Sequence, residues 1–440
     1  MLVVGAGTGG CAAALWAARA GVSTLIVDTR PGDGIGTKAC GGALSNDGVA
    51  TVAEFIDPPN GAEIASTIAG GTLGSPGGRS VDLAEPGVII NRAVFGQRLL
   101  ADAIDAGAEF RQNTTCVGWA DRDGQVIRLR DAEDRERDVA IRVVIDASGY
   151  RSVLTRHGGP THVDTPLRAE VGIGHYALVP LATELERPDW VRVHVSPEGA
   201  EDGYGWLFPV GVRMVNIGLG GSLARVDRPV RSHLAGLIEK WDDVRALPPL
   251  RSGTGMLPLR RPLAGVIGPG FLTVGDAACH ANPLHGGGIA PSIIAGALAG
   301  RIGGRAALKR DAGVHELWPY ASETMRTIGA PHAVQEILRR LMSSLSRDDL
   351  SFLAEELGRA GTAYRELYGS SPGRFMRHLV SIVGRAARRP ALVTGLLSAS
   401  RQAAAVHRLY RQYPSSPDQL DAWMRRVGRI FGGQERERPR

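Results

Sequence analysis

The chain opens on an apolar run, Leu2 to Gly5, that passes directly into Gly5-Ala6-Gly7-Thr8-Gly9-Gly10. An alanine-rich, helix-compatible stretch follows from Cys11 to Ala20 and is closed by Gly21. A β-rich run from Val22 to Val27 then ends on Asp28. The pattern predicts strand, glycine turn, helix, strand and acid. Gly5 permits the tight turn, Gly7 lets the backbone approach a pyrophosphate, and Gly10, next to Gly9, lets helix and strand pack closely. The free N–H groups at the helix start would face the phosphates. Asp28 lies 18 residues after Gly10, where an acid accepts hydrogen bonds from ribose hydroxyls. A glycine-rich turn without a ligand is the plainer reading of the motif alone, and its context weighs against that.

The same alternation returns at Phe271–Arg301: a short apolar strand, Gly275-Asp276, a glycine-rich turn and a long helix of small residues. The two motifs, some 270 residues apart, point to one dinucleotide lying across the fold. Between them, Ile35 to Ser45 reads as a loop at the carboxyl ends of the strands, where doubly wound folds bind ligands. Val88-Ile89-Ile90-Asn91-Arg92 leads into a helix from Ala93 to Ala106, ended by Gly107. Ala108–Val117 and Val126–Leu129 read as strands of a small meander. Val143–Asp146 is a buried strand before Ala147-Ser148-Gly149-Tyr150-Arg151-Ser152. Leu167–Gly221 is strand-like, and residues beyond about 310 are mostly helical.

Composition narrows this picture. At 440 residues and 43% hydrophobic, two or three globular domains are expected. No apolar run approaches the ~20 residues that span a bilayer. The predicted first strand begins at residue 1, which questions the start assignment, and no charged region precedes an apolar one as in a signal peptide. Cys11, Cys40, Cys116 and Cys279 are scattered with no CxxC, which excludes a zinc ribbon and favours the cytosol. The net charge of +6 is uneven, because residues 373–440 hold fourteen arginines, no lysine and four acids. Two basic amphipathic helices are predicted there. One runs from Arg374 to Arg389, with Phe375, Met376, Leu379, Ile382, Val383 and Ala386 on its apolar face. The other carries Leu420, Trp423, Met424, Val427, Ile430 and Phe431. Either they pack on their own domain or they lie on an anionic membrane surface. Lys38 is one of only three lysines and falls inside a motif.

In this order, GAGTGG, KACGG, Asn91-Arg92, DASGYRS, YGWLFP, NIGLG and GDAACHANPLHGGGI resemble the flavin-dependent geranylgeranyl reductase family, in particular its archaeal-lipid branch. The resemblance covers about Met1 to Arg301. Asp28 stands where Glu is usual, DASG replaces ADG, and no proline lies just ahead of Cys40. The resemblance implies an α/β fold of the p-hydroxybenzoate-hydroxylase type. A Rossmann-like FAD-binding domain (1–50, 88–158 and 265–310) would interleave with an antiparallel-sheet substrate domain (51–87 and 159–264). A helical C-terminal region (311–440) would follow.

By the same resemblance, FAD is the cofactor. Asp276 would bind the ribityl chain rather than only cap a turn. Gly286, Gly287, Gly288 and Ile289 would offer N–H groups to the pyrimidine edge. Arg92 would reach the flavin or its phosphates unless it is a surface arginine, and Val117 would meet the adenine. Lys38, Ala39, Cys40, Gly41 and Gly42 would flank the ring. Cys40 is either an active-site thiol or a small residue admitted for close approach, and Cys279 would stand near enough for a redox pair. His280 and His285 have metal-like spacing but no third ligand. His280 could donate a proton or be a core histidine. Tyr204, Trp206 and Phe208 share one strand face and would either wall a lipid pocket or fill a core.

The implied activity is hydride transfer from reduced flavin to C=C bonds of geranylgeranyl chains in isoprenoid lipids. The alternatives are a menaquinone side-chain reductase, a flavin monooxygenase or halogenase, and a non-redox lipid-binding or cyclase role. With no second GxGxxG, electrons would come from ferredoxin, NAD(P)H or a quinol. The expected partners include an isoprenoid lipid and no nucleic acid. The expected location is cytoplasmic, with peripheral membrane contact through the basic C-terminal helices.

Overall fold

Leu2–Val4 lies inside a six-stranded sheet whose order is Ile267–Gly268, Phe271–Thr273, Val144–Asp146, Leu2–Val4, Leu25–Val27, Glu109–Arg111. All pairs are parallel except the first. Val3 pairs with Ile145 on one side and Ile26 on the other, and all three are fully buried. Such wholly apolar strands suit a sheet covered on both faces. The computed structural model describes residues 1–121, 124–156, 170–200, 202–226, 229–241, 243–359 and 382–432.

Helix Thr8–Arg19 packs directly on helix Ile289–Lys309, and side chains cannot separate them. A Cβ on Gly296 would collide with the carbonyl oxygen of Gly9, and one on Gly300 with that of Ala13. Glycine is required at both places because backbone meets backbone. The helix starts at Thr8, earlier than the predicted Cys11, because the glycine turn itself supplies the first helical N–H groups.

The second large sheet has seven strands, in the order Arg251–Pro258, Val171–Pro180, Met214–Ser222, Tyr204–Pro209, Trp190–Val195, Gly70–Gly74, Ser80–Leu83. It is antiparallel apart from the Trp190–Val195/Gly70–Gly74 pair. The predicted strand Ala108–Val117 is two strands. Asn113 takes a left-handed conformation (φ 49°) that ends the first. Glu109–Arg111 then completes the parallel sheet, and Thr115–Trp119 begins the meander. The Ile35–Ser45 loop ends in a short strand, Ala43–Ser45, paired with Gly87–Ile90.

The C-terminal helices share one apolar core with the parallel sheet. Leu420, Trp423, Val427 and Phe431 of helix Leu420–Phe431 are buried, with Trp423 edge-on to Tyr410 and Tyr413. Of the two alternatives the sequence left open, packing on its own domain therefore holds for this helix, and its apolar face is consumed there. Half of the other proposed helix, residues 374–381, lies outside the described residues, and Pro390 opens helix Pro390–Arg411. Among the described residues no helix is long and apolar enough to cross a membrane.

Helix Ala330–Ser344 is tied to the seven-stranded sheet's edge by a buried ion cluster. Glu336, fully buried, accepts from Arg261 N at 2.7 Å and Nη1 at 3.1 Å, and Arg340 lies 2.7 Å away. Burial alone would raise its carboxyl; Arg261, Arg340 and Arg260 outweigh burial and hold it at about 2. The folded-state value lies below the ordinary 4.5, so this stabilisation is complete above about pH 4.5 and is lost as pH falls towards 2.

Two stability predictions follow from this packing. Gly296→Val, which drives a methyl pair into a backbone carbonyl that cannot retreat, should cost about 3 kcal/mol in denaturant unfolding; an unchanged midpoint would refute the close contact. Glu336→Gln strands buried guanidinium groups and should cost about 3 kcal/mol at neutral pH. It should also flatten the loss of stability between pH 4.5 and 2, and an acid limb as steep as wild type's would remove Glu336 from this role.

Candidate functional site

The turn after strand Phe271–Thr273 is built by its own polar groups. Gly275 has a positive φ (65°), and His280 clasps the turn through N–H to Gly275 O (2.9 Å) and Nδ1 accepting from Gly275 N (3.2 Å). Asn282 Oδ1 accepts from Leu284 N and His285 N and fixes the next bend. Helix Ile289–Lys309 then starts at Gly288 with no side-chain cap, so its first N–H groups are open to a ligand. Asp276, almost buried, takes Lys38 Nζ at 2.7 Å and so joins this turn to the Lys38–Gly42 loop.

At the other motif, Gly7 also begins its helix without a side-chain cap, and a Cβ there would meet nothing within 4 Å. Gly10 packs against Gly5, whose own Cβ would strike Ala147 O; Gly9 lies against Gly296. Asp28 is fully engaged. One oxygen accepts from Arg30 N (2.9 Å) and Nε (3.0 Å), the other from Ala6 N (2.8 Å) and Arg30 Nη2 (2.9 Å). Burial pushes its carboxyl up, but these bonds outweigh burial and keep it below the usual range. A ribose hydroxyl could reach Asp28 only by displacing Arg30.

Between the two motifs lies a cavity of about 190 Å³, far more than one water needs. Thr8, Lys38, Ala39, Cys40, Gly41, Arg92, Asp276, Gly288 and Ile289 border it. Tyr204, Trp206 and Phe208 also line it, in a file with ring centroids 5.8 and 6.3 Å apart. Polar ties hold this wall in place. Tyr204 Oη donates to His285 O (2.6 Å), Trp206 Nε1 to Asn216 Oδ1 (3.0 Å), and Asn216 Nδ2 to Cys40 O (2.8 Å). A Cβ on Gly41 would lie 2.6 Å from the Phe208 ring, so the loop approaches the wall only because residue 41 is glycine.

The nitrogens Nε and Nη1 of Arg92 are buried with no hydrogen-bond partner. A stranded guanidinium beside an open helix start is the donor set an anionic dinucleotide requires. The residues present therefore fit FAD.

The structure departs from the sequence expectations at several positions. His280 does not border the cavity. It is fully buried, and burial pushes its imidazole down to about 3, so it is neutral at ordinary pH and serves the turn rather than donating a proton. Cys279 is buried with a thiol pushed up to about 12 by burial and is likewise absent from the lining, whereas half-buried Cys40 borders the cavity and accepts from Gly42 N (3.3 Å). Both thiols are free. Gly42 and Gly287 sit behind the lining; Gly42 turns the chain at φ 82° and Gly287 lies under the His285 ring. Val117 belongs to the meander, away from the cavity. Trp206 and Phe208 are both core and lining, since the two readings describe opposite faces of the same rings. Sequence reasoning missed Asn216, although NIGLG carried it, and Arg339, which no motif marked.

Fold and site together define an FAD-dependent oxidoreductase. A family model described as FAD dependent oxidoreductase matches residues 1–202. Digeranylgeranylglycerophospholipid reductase of Sulfolobus acidocaldarius is 29% identical over 98% of this chain and 97% of its own. Digeranylgeranylglycerophospholipid reductase 1 of Methanopyrus kandleri is 32% identical over 69% of this chain and 79% of its own. The corresponding protein of Methanosphaerula palustris is 33% identical over 69% and 75%. A geranylgeranyl bacteriochlorophyll reductase-like protein from Thermoplasma acidophilum shares the fold (TM-score 0.79, 24% identity, 90% of this chain and 98% of that one). A myxobacterial chondrochloren halogenase does so more loosely (TM-score 0.63, 15% identity, 91% and 96%). The chain belongs to the digeranylgeranylglycerophospholipid reductase family.

Arg92→Met tests the stranded guanidinium with opposite signs in two states. Flavin-free protein should gain stability, because an uncompensated buried charge disappears, while FAD affinity should fall about tenfold to a hundredfold. Equal FAD affinity in mutant and wild type by flavin fluorescence titration would remove Arg92 from the cofactor site.

Proposed function

We propose that this protein saturates C=C bonds of geranylgeranyl chains carried on glycerophospholipids. The observation that carries the reading is the aromatic file Tyr204–Trp206–Phe208 standing against the Lys38–Gly42 loop, in a chain whose relatives are named for that substrate. In this reading Gly5 to Gly10, Arg92, Asp276 and Gly287 to Ile289 hold FAD, which supplies the hydride when bound. Asp28 supports the first turn through Ala6 and Arg30 instead of meeting ribose directly.

An isolated alkene is a poor hydride acceptor, so the protein's work is to exclude water and fix the reacting bond. Asn216 does part of this, locking the Trp206 indole to the Cys40 carbonyl so that wall and loop keep one spacing. Cys40 borders the cavity in which the bond would lie. The reductant is an external donor, either ferredoxin, NAD(P)H or a quinol, since the sequence offers one dinucleotide motif only. The seven-stranded sheet would serve the substrate and the parallel sheet the cofactor.

Anaerobically reduced holoprotein mixed with a geranylgeranylated glycerophospholipid should regain the absorbance of oxidised flavin, and the saturated lipid should leave it reduced. Reoxidation that occurs only with dioxygen, and is coupled to an aromatic substrate and halide, would replace this reading with the chemistry of the halogenases that share the fold.

A further inference from the structure

Arg339, on helix Ala330–Ser344, also borders the cavity. It makes no hydrogen bond or ion pair among the described residues, and its Nε is buried without a partner. The three acids that act on it, Glu336, Asp202 and Glu170, have other ion-pair partners, and Glu170 lies 3.3 Å from Arg260 Nη1. Glu336 serves Arg261 and Arg340. Asp202 accepts from Ser222 N at 3.0 Å and lies 3.8 Å from Arg225 Nε, while Arg225 Nη1 is held by Ser343 O at 3.1 Å. Arg339 thus holds no direct ion pair among the described residues, and these acids reach it only at longer range. A half-buried guanidinium whose Nε is withdrawn from water and unpaired is costly, and its planar fork suits phosphate oxygens.

Position supplies the second half of the argument. Phe208 meets the Gly41 loop, Tyr204 meets His285, and Asp202, which also lines the cavity with Arg339, lies further along the same chain direction. At the rise of a strand, Phe208 to Tyr204 spans about 13 Å, and Asp202 lies in the turn just before that strand. The cavity therefore holds cationic and polar groups at Asp202 and Arg339, the aromatic file along one strand, and Lys38, Asp276 and Arg92 where the loop and the turn border it.

We infer that Arg339 binds the phosphate of the lipid head group, anchoring the substrate by its polar end while its isoprenoid chain runs along Tyr204, Trp206 and Phe208 towards the Cys40 loop. The inference rests on the glycerophospholipid reading above and adds the residue that reads the head group.

The test compares digeranylgeranylglyceryl phosphate with its uncharged counterpart, digeranylgeranylglycerol, on FAD-loaded wild type, R339Q and R339K. Wild type should prefer the phosphate, and in R339Q the ratio of kcat/KM for phosphate over alcohol should fall about tenfold or more, carried by KM. R339K should recover part of the ratio because the charge remains while the fork is lost. Flavin content and unfolding temperature establish that each variant is folded. A ratio within twofold of wild type in R339Q overturns the head-group role. So does a wild type that reduces both lipids equally well, an outcome that leaves the reductase reading standing. Loss of inorganic phosphate binding in R339Q without change in the lipid ratio would assign the residue to a free anion and also overturn the role.

Discussion

Everything at the site depends on two helices that touch through their backbones. Gly296 and Gly300 lie against the carbonyls of Gly9 and Ala13, where no side chain fits. That contact brings the turn at residues 5–10 and the turn at residues 275–288 to the same side of the parallel sheet, although most of the chain separates them. Each helix start is uncapped by any side chain. Two open helix N-termini held side by side create a region short of negative charge, and Arg92 adds to the deficit. The fold is stable around this deficit because the neighbouring elements share one continuous apolar core.

The substrate side is organised by a different economy. The seven-stranded sheet presents large rings from alternate positions of one strand and glycines from its neighbours, including Gly174, Gly220 and Gly255 along the cavity. Removing side chains from one set of positions makes the space that aromatic rings line from another. Few polar bonds then set the width of that space. Asn216 spans from indole to loop carbonyl, Tyr204 spans from sheet to turn, and Lys38 spans from loop to Asp276. The first two are neutral and largely enclosed, so they define geometry. The third joins a half-exposed lysine to a nearly buried acid and is the tie that a ligand entering beside Asp276 would most readily rearrange.

How much of this is legible in the sequence follows the range of the interactions involved. The glycine turns, the flanking strands and helices, and the aromatic alternation at 204–208 are local patterns with local causes, and the fold class follows from them. Asp28 shows where local reading stops. Its spacing predicts an acid facing ribose, but Arg30, two residues on, folds back and takes both oxygens. His280 likewise belongs to a motif beside the site, yet one hydrogen bond to Gly275 turns it into the core. The amphipathic helix at 420–431 has the pattern of a membrane-surface helix, and nothing local reveals that Tyr410 and Tyr413 already cover its tryptophan. Arg339 carries no sequence signal, since its lack of a direct ion pair arises from how Glu336, Glu170 and Asp202 are spent on other partners.

The measurement that bears most directly on this account is the mass of the lipid after anaerobic incubation with dithionite-reduced, FAD-loaded protein. Supplied with a geranylgeranylated glycerophospholipid, geranylgeranyl diphosphate and menaquinone together, the protein should add hydrogens two at a time to the glycerophospholipid. An unchanged mass for all three lipids, with FAD confirmed in the same sample, would contradict the account.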